Sequence, residues 1–273
     1  MSIFSLFSNT LAKQNYIFFD FETTGLYPLA NDKIIEIAMI KTSKGEIIDT
    51  IETMINPEFP IPKEVTKINN ITDDMVKDSP VFDKKYGEKI IDFIGDYILV
   101  AHNASFDLSF LSVELGRNGV LFERWKAIDT LKIAAKVFPN QKNKLENIMR
   151  RYNIMPEGDV HRALVDTDVL KKIFFEFLEE SEIRSKTIDQ LIKEYGYQGQ
   201  YLHKSIPAII RESIIENKII SGKYRKRDGN IIELSILPIS PVWVDNRWFL
   251  LGKEKKTKKE VIIFCDNFTE ISI

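Results

Sequence analysis

The sequence predicts an α/β unit, a mixed β-sheet flanked by helices, followed by a small β-barrel or sandwich. Three observations carry this. Strand and helix signals alternate through the first 180 or so residues. YILVA (Tyr97 to Ala101) is short and wholly apolar, as expected where both faces of a sheet are covered. Beyond residue 206 the chain becomes a series of short β-rich runs between turns: KIISGKY, IIELSILPI, WFLLG and EVIIF.

In order along the chain, Tyr16 to Phe21 is a strand, because aromatic and apolar residues run together there. Ile34 to Ile40 and Glu46 to Ile55 are two more, joined by the turn TSKG. NPEFPIPKEV is punctuated by proline and reads as a connection. Phe82 to Ile94 is a helix, Tyr97 to Ala101 a strand, Ser105 to Leu115 a helix and Lys126 to Ile128 a short strand. Thr130 to Val137 and Leu145 to Arg151 are helices. Ala163 to Leu178 is a long one, since Leu170, Ile173, Phe174 and Phe177 recur at helical spacing. The polar segment 183–205 carries one short helical patch and reads as a linker. A helix, Ile206 to Ile215, opens the final unit. The expected division is therefore 1–182, 183–205 and 206–273.

With 273 residues and 44% hydrophobic content the chain can bury a sizeable core. At 29% charged, without Gly or Pro enrichment, it is not a disordered composition. No apolar run approaches the roughly 18 residues of a membrane span. The start, MSIFSLFSNT, has no basic stretch of a signal peptide. Cys265 is the single cysteine, so no internal disulfide is available, and a reducing, cytoplasmic setting without membrane partners is expected. The net charge of −2 conceals a split. Residues 184–273 hold 16 Lys+Arg against 11 Asp+Glu, and the preceding residues 22 against 29. The basic residues cluster in KYRKR (Lys223 to Arg227) and KEKKTKK (Lys253 to Lys259). Such runs are either solvated loops or contacts to nucleic acid.

The first strand, in YIFFDFETTGL, holds two carboxylates. Strand side chains alternate, so Asp20 and Glu22 share a face at the strand's C-terminal end, where α/β sheets bind ligands. In HNASFDLSFL, Asp107 falls on the stripe of Ala104, Leu108, Leu111 and Leu115. In HRALVDTDVL, Asp166 falls on that of Leu170, Ile173 and Phe177. Each helix acid alone is explained by the backbone N–H groups of a first turn. All four together, directed at a core, call for hard divalent cations such as Mg²⁺ or Mn²⁺. His161 lies five residues before Asp166, off its helical face and hence on the preceding loop. A lone loop histidine is often structural. Beside a metal site it can take a proton from water. His102, ending the YILVA strand, reads as structural.

FDFETTGL (Phe19 to Leu26), HNASFD (His102 to Asp107) and HRALVD (His161 to Asp166) resemble, in order and spacing, the three motifs of DEDDh-family exonucleases, which include proofreading exonucleases of bacterial replicative polymerases. The likeness spans about residues 15–180 and includes the connecting IPKEVTKINNITDDMV. It implies a ribonuclease-H-like fold, two divalent cations held by Asp20, Glu22, Asp107 and Asp166, and 3′→5′ release of nucleoside monophosphates from nucleic acid, DNA more than RNA. It further implies His161 as general base, contacts to substrate from Thr23 and Asn103, and a polymerase or repair partner. The complete set of five motif residues favours an enzyme over a nucleic-acid-binding regulator with an inactive nuclease fold.

Residues 206–273 resemble a WYL domain through KYRKRDGN, LPISPVW, RWFLLG and FCDNFTEI. That likeness implies an SH3-like barrel that binds a ligand or nucleic acid. Cys265 and Asn267 stand where basic residues are usual. Lys223, Arg225, Lys226 and Arg227 are the candidate accessory contacts.

Overall fold

The computed structural model describes residues 10–121, 126–158, 162–197, 206–245 and 247–273. The first unit is built on a six-stranded sheet of order β3-β2-β1-β4-β5-β6. β1 (Asn15–Thr23), β2 (Ile34–Ser43) and β3 (Glu46–Met54) form an antiparallel meander. Two short helices follow, α1 (Lys63–Asn69) and α2 (Asp73–Val76), then α3 (Lys84–Ile94). β4 (Ile98–Ala101) pairs parallel to β1, and β5 (Ala127–Asp129) parallel to β4, with α4 (Ala104–Arg117) crossing between them. α5 (Thr130–Val137), α6 (Leu145–Arg151) and α7 (Ala163–Phe177) come next.

β1 feeds two cores because its side chains alternate. Ile17, Phe19 and Phe21 pack with residues of α3 and α4, including Ile90, Leu108 and Leu111. Tyr16 and Phe18 face α7, where the Phe174 ring meets theirs edge-on at 4.9 and 5.5 Å. Burying an aromatic ring of this kind stabilises by about 1.5–3 kcal/mol. These contacts fix α7, and with it Asp166, against the face of β1 that bears Asp20 and Glu22.

The segment expected as a linker is built into this unit. α8 (Ser181–Arg184) and α9 (Ile188–Tyr195) bury Ile183, Leu191, Ile192 and Tyr195 in the second core. α9 starts with a capping box, Thr187 and Gln190 exchanging side-chain-to-backbone bonds. β6 (Gly196–Tyr197) then pairs with β5 at the sheet edge. Among the described residues, no helix is long and apolar enough to cross a membrane.

The C-terminal residues form α10 (Ala208–Ile215), β7 (Ile220–Arg225), β8 (Ile231–Val244), β9 (Arg247–Glu254), β10 (Glu260–Phe264) and β11 (Phe268–Ser272). The strands make one antiparallel sheet of order β10-β9-β8-β7-β11. It is open, with β10 and β11 as its edges, and is not the closed barrel expected from the strand pattern. The physical reason lies in its cover. One face packs on α10 through Ile210, Ile220 and Ile236. The other packs on α4 through Val113, Val242, Val244 and Leu251. Neither face has to curl over the other to leave water.

The contact with α4 is close and hydrogen-bonded. Ser105, Ser109, Ser112 and Gly116 lie along one stripe of α4. Ser112 Oγ accepts from the Trp243 N–H at 2.7 Å, and Ser109 Oγ from the Asp245 N–H at 3.2 Å. Ser105 Oγ donates to Asp245 Oδ1 at 3.2 Å. At the far end, Arg117 bonds Glu260 at 3.2 Å. A Cβ on Gly116 would stand 2.5 Å from Val242 Cγ1. Gly116→Val is therefore expected to destabilise the whole chain by about 1–3 kcal/mol through overpacking. A chemical-denaturation midpoint equal to that of the unsubstituted protein would show that the two units separate freely.

Candidate active site

The acids converge at the C-terminal end of β1. One carboxylate oxygen from each of Asp20, Glu22 and Asp166 lies within 4.8 Å of the others. Asp107 approaches from the first turn of α4. It is 2% exposed, and its Oδ1 accepts from the Phe21 N–H at 3.1 Å, between the two strand acids. Like charges at this spacing resist ionisation. Burial, then Asp107 and the other acids, hold the Asp20 carboxyl well above the usual range. Burial does the same to Asp107, against the pull of the Phe21 N–H. Glu22 is pushed up to about 7, chiefly by burial, with the Asn69 hydrogen bond working the other way. A set of hard oxygen donors whose mutual repulsion is relieved by positive charge fits divalent cations such as Mg²⁺ or Mn²⁺.

Two supporting residues were not singled out in the sequence. Asn69, the last residue of α1, donates to Glu22 Oε2 at 3.3 Å and accepts from the Ile71 N–H at 3.0 Å. Its helix was hidden by the prolines around it. Glu36 lies opposite Glu22 in the β1–β2 ladder and is 1% exposed. Adjacent carboxylates repel across a ladder, so Glu36 needs a partner, and Arg162 supplies one at 2.8 Å. Glu36 Oε2 also accepts from the Ala163 N–H at 3.1 Å. Glu36 thus anchors the start of α7, three residues from Asp166. The available signal was a glutamate within the apolar run IIEIAMI. Arg162→Ala strands a buried carboxylate and is expected to cost about 3–5 kcal/mol. Removing both partners, as Glu36→Leu with Arg162→Met, is expected to cost less. A double variant as unstable as the single one in urea would contradict that account.

The remaining sequence candidates fall as follows. Thr23 closes the turn after β1, its hydroxyl donating to the Gly25 carbonyl at 2.6 Å. Gly25 is needed there, because a Cβ would stand 2.3 Å from Asp32 Oδ2. Asn103 precedes α4 in left-handed conformation, φ 69°, and its N–H bonds Asp129 Oδ1 at 3.0 Å. His102 is tied on both sides, Nε2 to the Asn143 carbonyl at 2.8 Å and Nδ1 to Thr130 Oγ1 at 3.0 Å. Burial lowers its pKa, so the ring is neutral. His161 lies outside the described residues. Lys223, Arg225, Lys226 and Arg227 occupy the β7–β8 hairpin, far from the acids along the sheet; Lys223 is paired with Glu270 at 2.7 Å.

Comparison with known proteins agrees with this geometry. A family described as Exonuclease matches residues 17–174. DNA polymerase III PolC-type of Bacillus cereus is 38% identical over 170 residues, covering 62% of this chain and 12% of that protein. The Bacillus subtilis counterpart is 36% identical over 200 residues, covering 70% and 13%. The chain thus spans about an eighth of the length of these relatives. Among solved structures, Exonuclease X in complex with 5′ overhanging duplex DNA aligns with TM-score 0.51 and 27% identity, over 67% of this chain and 99% of that one. The nuclease domain of 3′hExo, a DEDDh family member bound to rAMP, shares the fold at TM-score 0.52 and 20% identity, over 63% and 94%. The matched span carries the converging acids and covers more than half of the sequence, and the chain belongs to the exonuclease family.

Proposed function

We propose that the chain is a cation-dependent 3′→5′ exonuclease of the DEDDh type that releases nucleoside 5′-monophosphates from nucleic acid, DNA in preference to RNA, in repair or replication proofreading. The observation that carries this reading is the meeting of Asp20, Glu22 and Asp166 oxygens within 4.8 Å, with Asp107 beside them. Support comes from the PolC-type relatives and from the DNA bound to Exonuclease X. Activity, substrates and a polymerase or repair partner of the much longer relatives are carried over here only as part of the proposal.

In this reading Asp20, Glu22 and Asp166 hold two divalent cations, Mg²⁺ or Mn²⁺, and Asp107 assists from the side. When bound, the cations would neutralise phosphate charge and activate water. Asn69 holds Glu22, and Glu36 with Arg162 holds the start of α7, so the donors are positioned before substrate arrives. His161 takes the proton of the attacking water. Thr23 and Asn103 contact the 3′-terminal nucleotide. Residues 1–182, with α8, α9 and β6 packed onto them, form the catalytic domain, and 206–273 a WYL-like accessory domain for nucleic acid.

Oligonucleotides of DNA and RNA labelled at either end test this directly. In Mg²⁺, a 3′ label should leave first as a mononucleotide while a 5′-labelled strand shortens stepwise. Excess EDTA should stop both. Early release of a 5′-terminal mononucleotide, or full activity in chelator, would overturn the assignment.

A further inference from the structure

The two basic runs, about thirty residues apart in sequence, both lie toward one end of the C-terminal sheet. Arg225 pairs with Ile231 across the β7–β8 hairpin, so that turn caps the start of β8. Glu254 pairs with Ile236, and the Lys255 N–H bonds the Ser235 carbonyl at 2.8 Å, so the β9–β10 turn projects from the same end. Turns 225–230 and 255–259 together hold seven cationic side chains and one acid, Asp228. All seven cations are exposed, and among the described residues none enters an ion pair. Asp228 is engaged by the Asn230 N–H at 2.9 Å. Glu254 is engaged by the Thr257 hydroxyl. Arg225 shares a shallow pocket with Asp266 and Lys226 lies in the field of Asp228, which leaves Arg227 and the four lysines of the second turn as the uncompensated charge.

The opposite end of the same sheet is fixed to the helix that carries Asp107. Asp245, at the end of β8, bonds both Ser105 and Ser109. At about 3.3 Å per residue, β8 places the β7–β8 turn about 45 Å from that contact and the β9–β10 turn about 33 Å along the strand, and the β9–β10 turn is nearer in space, since Glu260 beside it bonds Arg117 of α4 at 3.2 Å. The bulge between Pro238 and Ser240 makes these upper bounds. Stacked nucleic acid advances about 3.4 Å per nucleotide, so a strand whose 3′ end lies at the acids reaches both turns within about 13 nucleotides.

We propose that turns 225–230 and 255–259 form a single phosphate-binding surface for nucleic acid, held at a fixed distance from the acids by the docking of β8 on α4. This rests on the nuclease reading for its substrate. An acidic catalytic unit repels a polyanion everywhere except at its cations. A basic end about a turn of duplex away offers a second hold on the same strand. The contact recognises backbone charge and no base sequence.

Two sets of substitutions in exposed turns test this in the full chain: Lys226→Gln with Arg227→Gln, and Lys255→Gln, Lys256→Gln, Lys258→Gln and Lys259→Gln. Binding of a 6-mer and a 24-mer single strand, each ending in cleavage-resistant 3′ phosphorothioate linkages, is followed by fluorescence anisotropy in Mg²⁺ at several salt concentrations. Hydrolysis of unmodified strands of the same lengths is followed in Mg²⁺. The unsubstituted protein should bind the 24-mer more tightly than the 6-mer, with a steeper log–log salt slope. Either set should weaken 24-mer binding and make its slope shallower by about 0.7 per lost contact. The 6-mer should be bound and cut as before. Equal slopes and equal length dependence in all three proteins would overturn the surface. So would an equal loss on both strands. Failure of the nuclease reading is read separately, as absence of hydrolysis by the unsubstituted protein at either length.

Discussion

Glu22→Gln is expected to silence hydrolysis and, in the cation-free protein, to raise stability above about pH 7. The loss of turnover should reach at least about 10²–10³-fold, the scale of removing a group that stabilises charge in the transition state. The gain in stability follows from linkage. Glu22 lies between Glu36 and Asp166, and burial lifts its folded pKa from 4.5 to about 7. A folded-state pKa raised in this way means that the native protein holds the proton more tightly than the unfolded chain does. Its contribution is present below pH 4.5 and disappears as pH rises through 4.5 to about 7. One pKa unit corresponds to about 1.4 kcal/mol, so the full loss is on the order of 3 kcal/mol. Glutamine has no charge to acquire across that window. Its oxygen still accepts from Asn69. Thermal melts in EDTA from pH 4 to 8 should diverge in favour of the variant as pH rises. Mg²⁺ or Mn²⁺ should raise the melting temperature of the unsubstituted protein most at the upper end, since a cation bound only by the folded state stabilises it. Superimposable melting curves of the two proteins in EDTA would refute this account of the site.

The parts of the site that could be read from sequence are those where a residue breaks its own pattern. Asp20 and Glu22 interrupt an aromatic strand, and Asp107 and Asp166 interrupt apolar helical stripes. Each break demands a local explanation, and the explanations coincide in space. Asn69 and Glu36 break patterns too, but their explanations are other residues. Glu36 makes sense only beside Arg162, which is 126 positions away. Asn69 makes sense only once α1 is seen to turn it towards Glu22. The open C-terminal sheet departs from the expected barrel for a related reason. Alternation along β8 says that faces are buried but not what buries them. The stripe Ser105, Ser109, Ser112 and Gly116 looks like a solvent face of α4. Its small side chains instead allow β8 to approach, and the Ser109 and Ser112 hydroxyls accept from backbone N–H groups at its end. α9, by contrast, could have been recognised from Thr187-x-x-Gln190 followed by Leu191, Ile192 and Tyr195.

His161→Ala and His102→Ala are expected to fail in opposite ways, and the difference tests which histidine handles the proton. A general base needs a nitrogen free to receive it. His102 has neither nitrogen free: one faces the Asn143 carbonyl and the other the Thr130 hydroxyl. Burial lowers its pKa, so protonation would place a charge in a dry site. His102→Ala removes the donor to the half-buried Asn143 carbonyl, while the buried Thr130 hydroxyl keeps its bond to the Ala101 carbonyl, and should cost about 1 kcal/mol of stability. Turnover per folded molecule should change little. His161, which precedes Arg162 in the sequence, is the other motif histidine. His161→Ala should lower turnover by about 10²–10⁴ and leave oligonucleotide affinity in place, because phosphate contacts do not depend on the base. The pH profile separates the two cases further. At saturating Mg²⁺, which suppresses the titration of the acids, a rise of kcat/KM with pH that is carried by the general-base imidazole should persist in folded His102→Ala and vanish in His161→Ala. If the rise instead disappears with His102→Ala, in protein shown by its melting curve to be folded at the assay temperature, the proton passes through His102 and the hydrogen bonds that hold it must open during turnover.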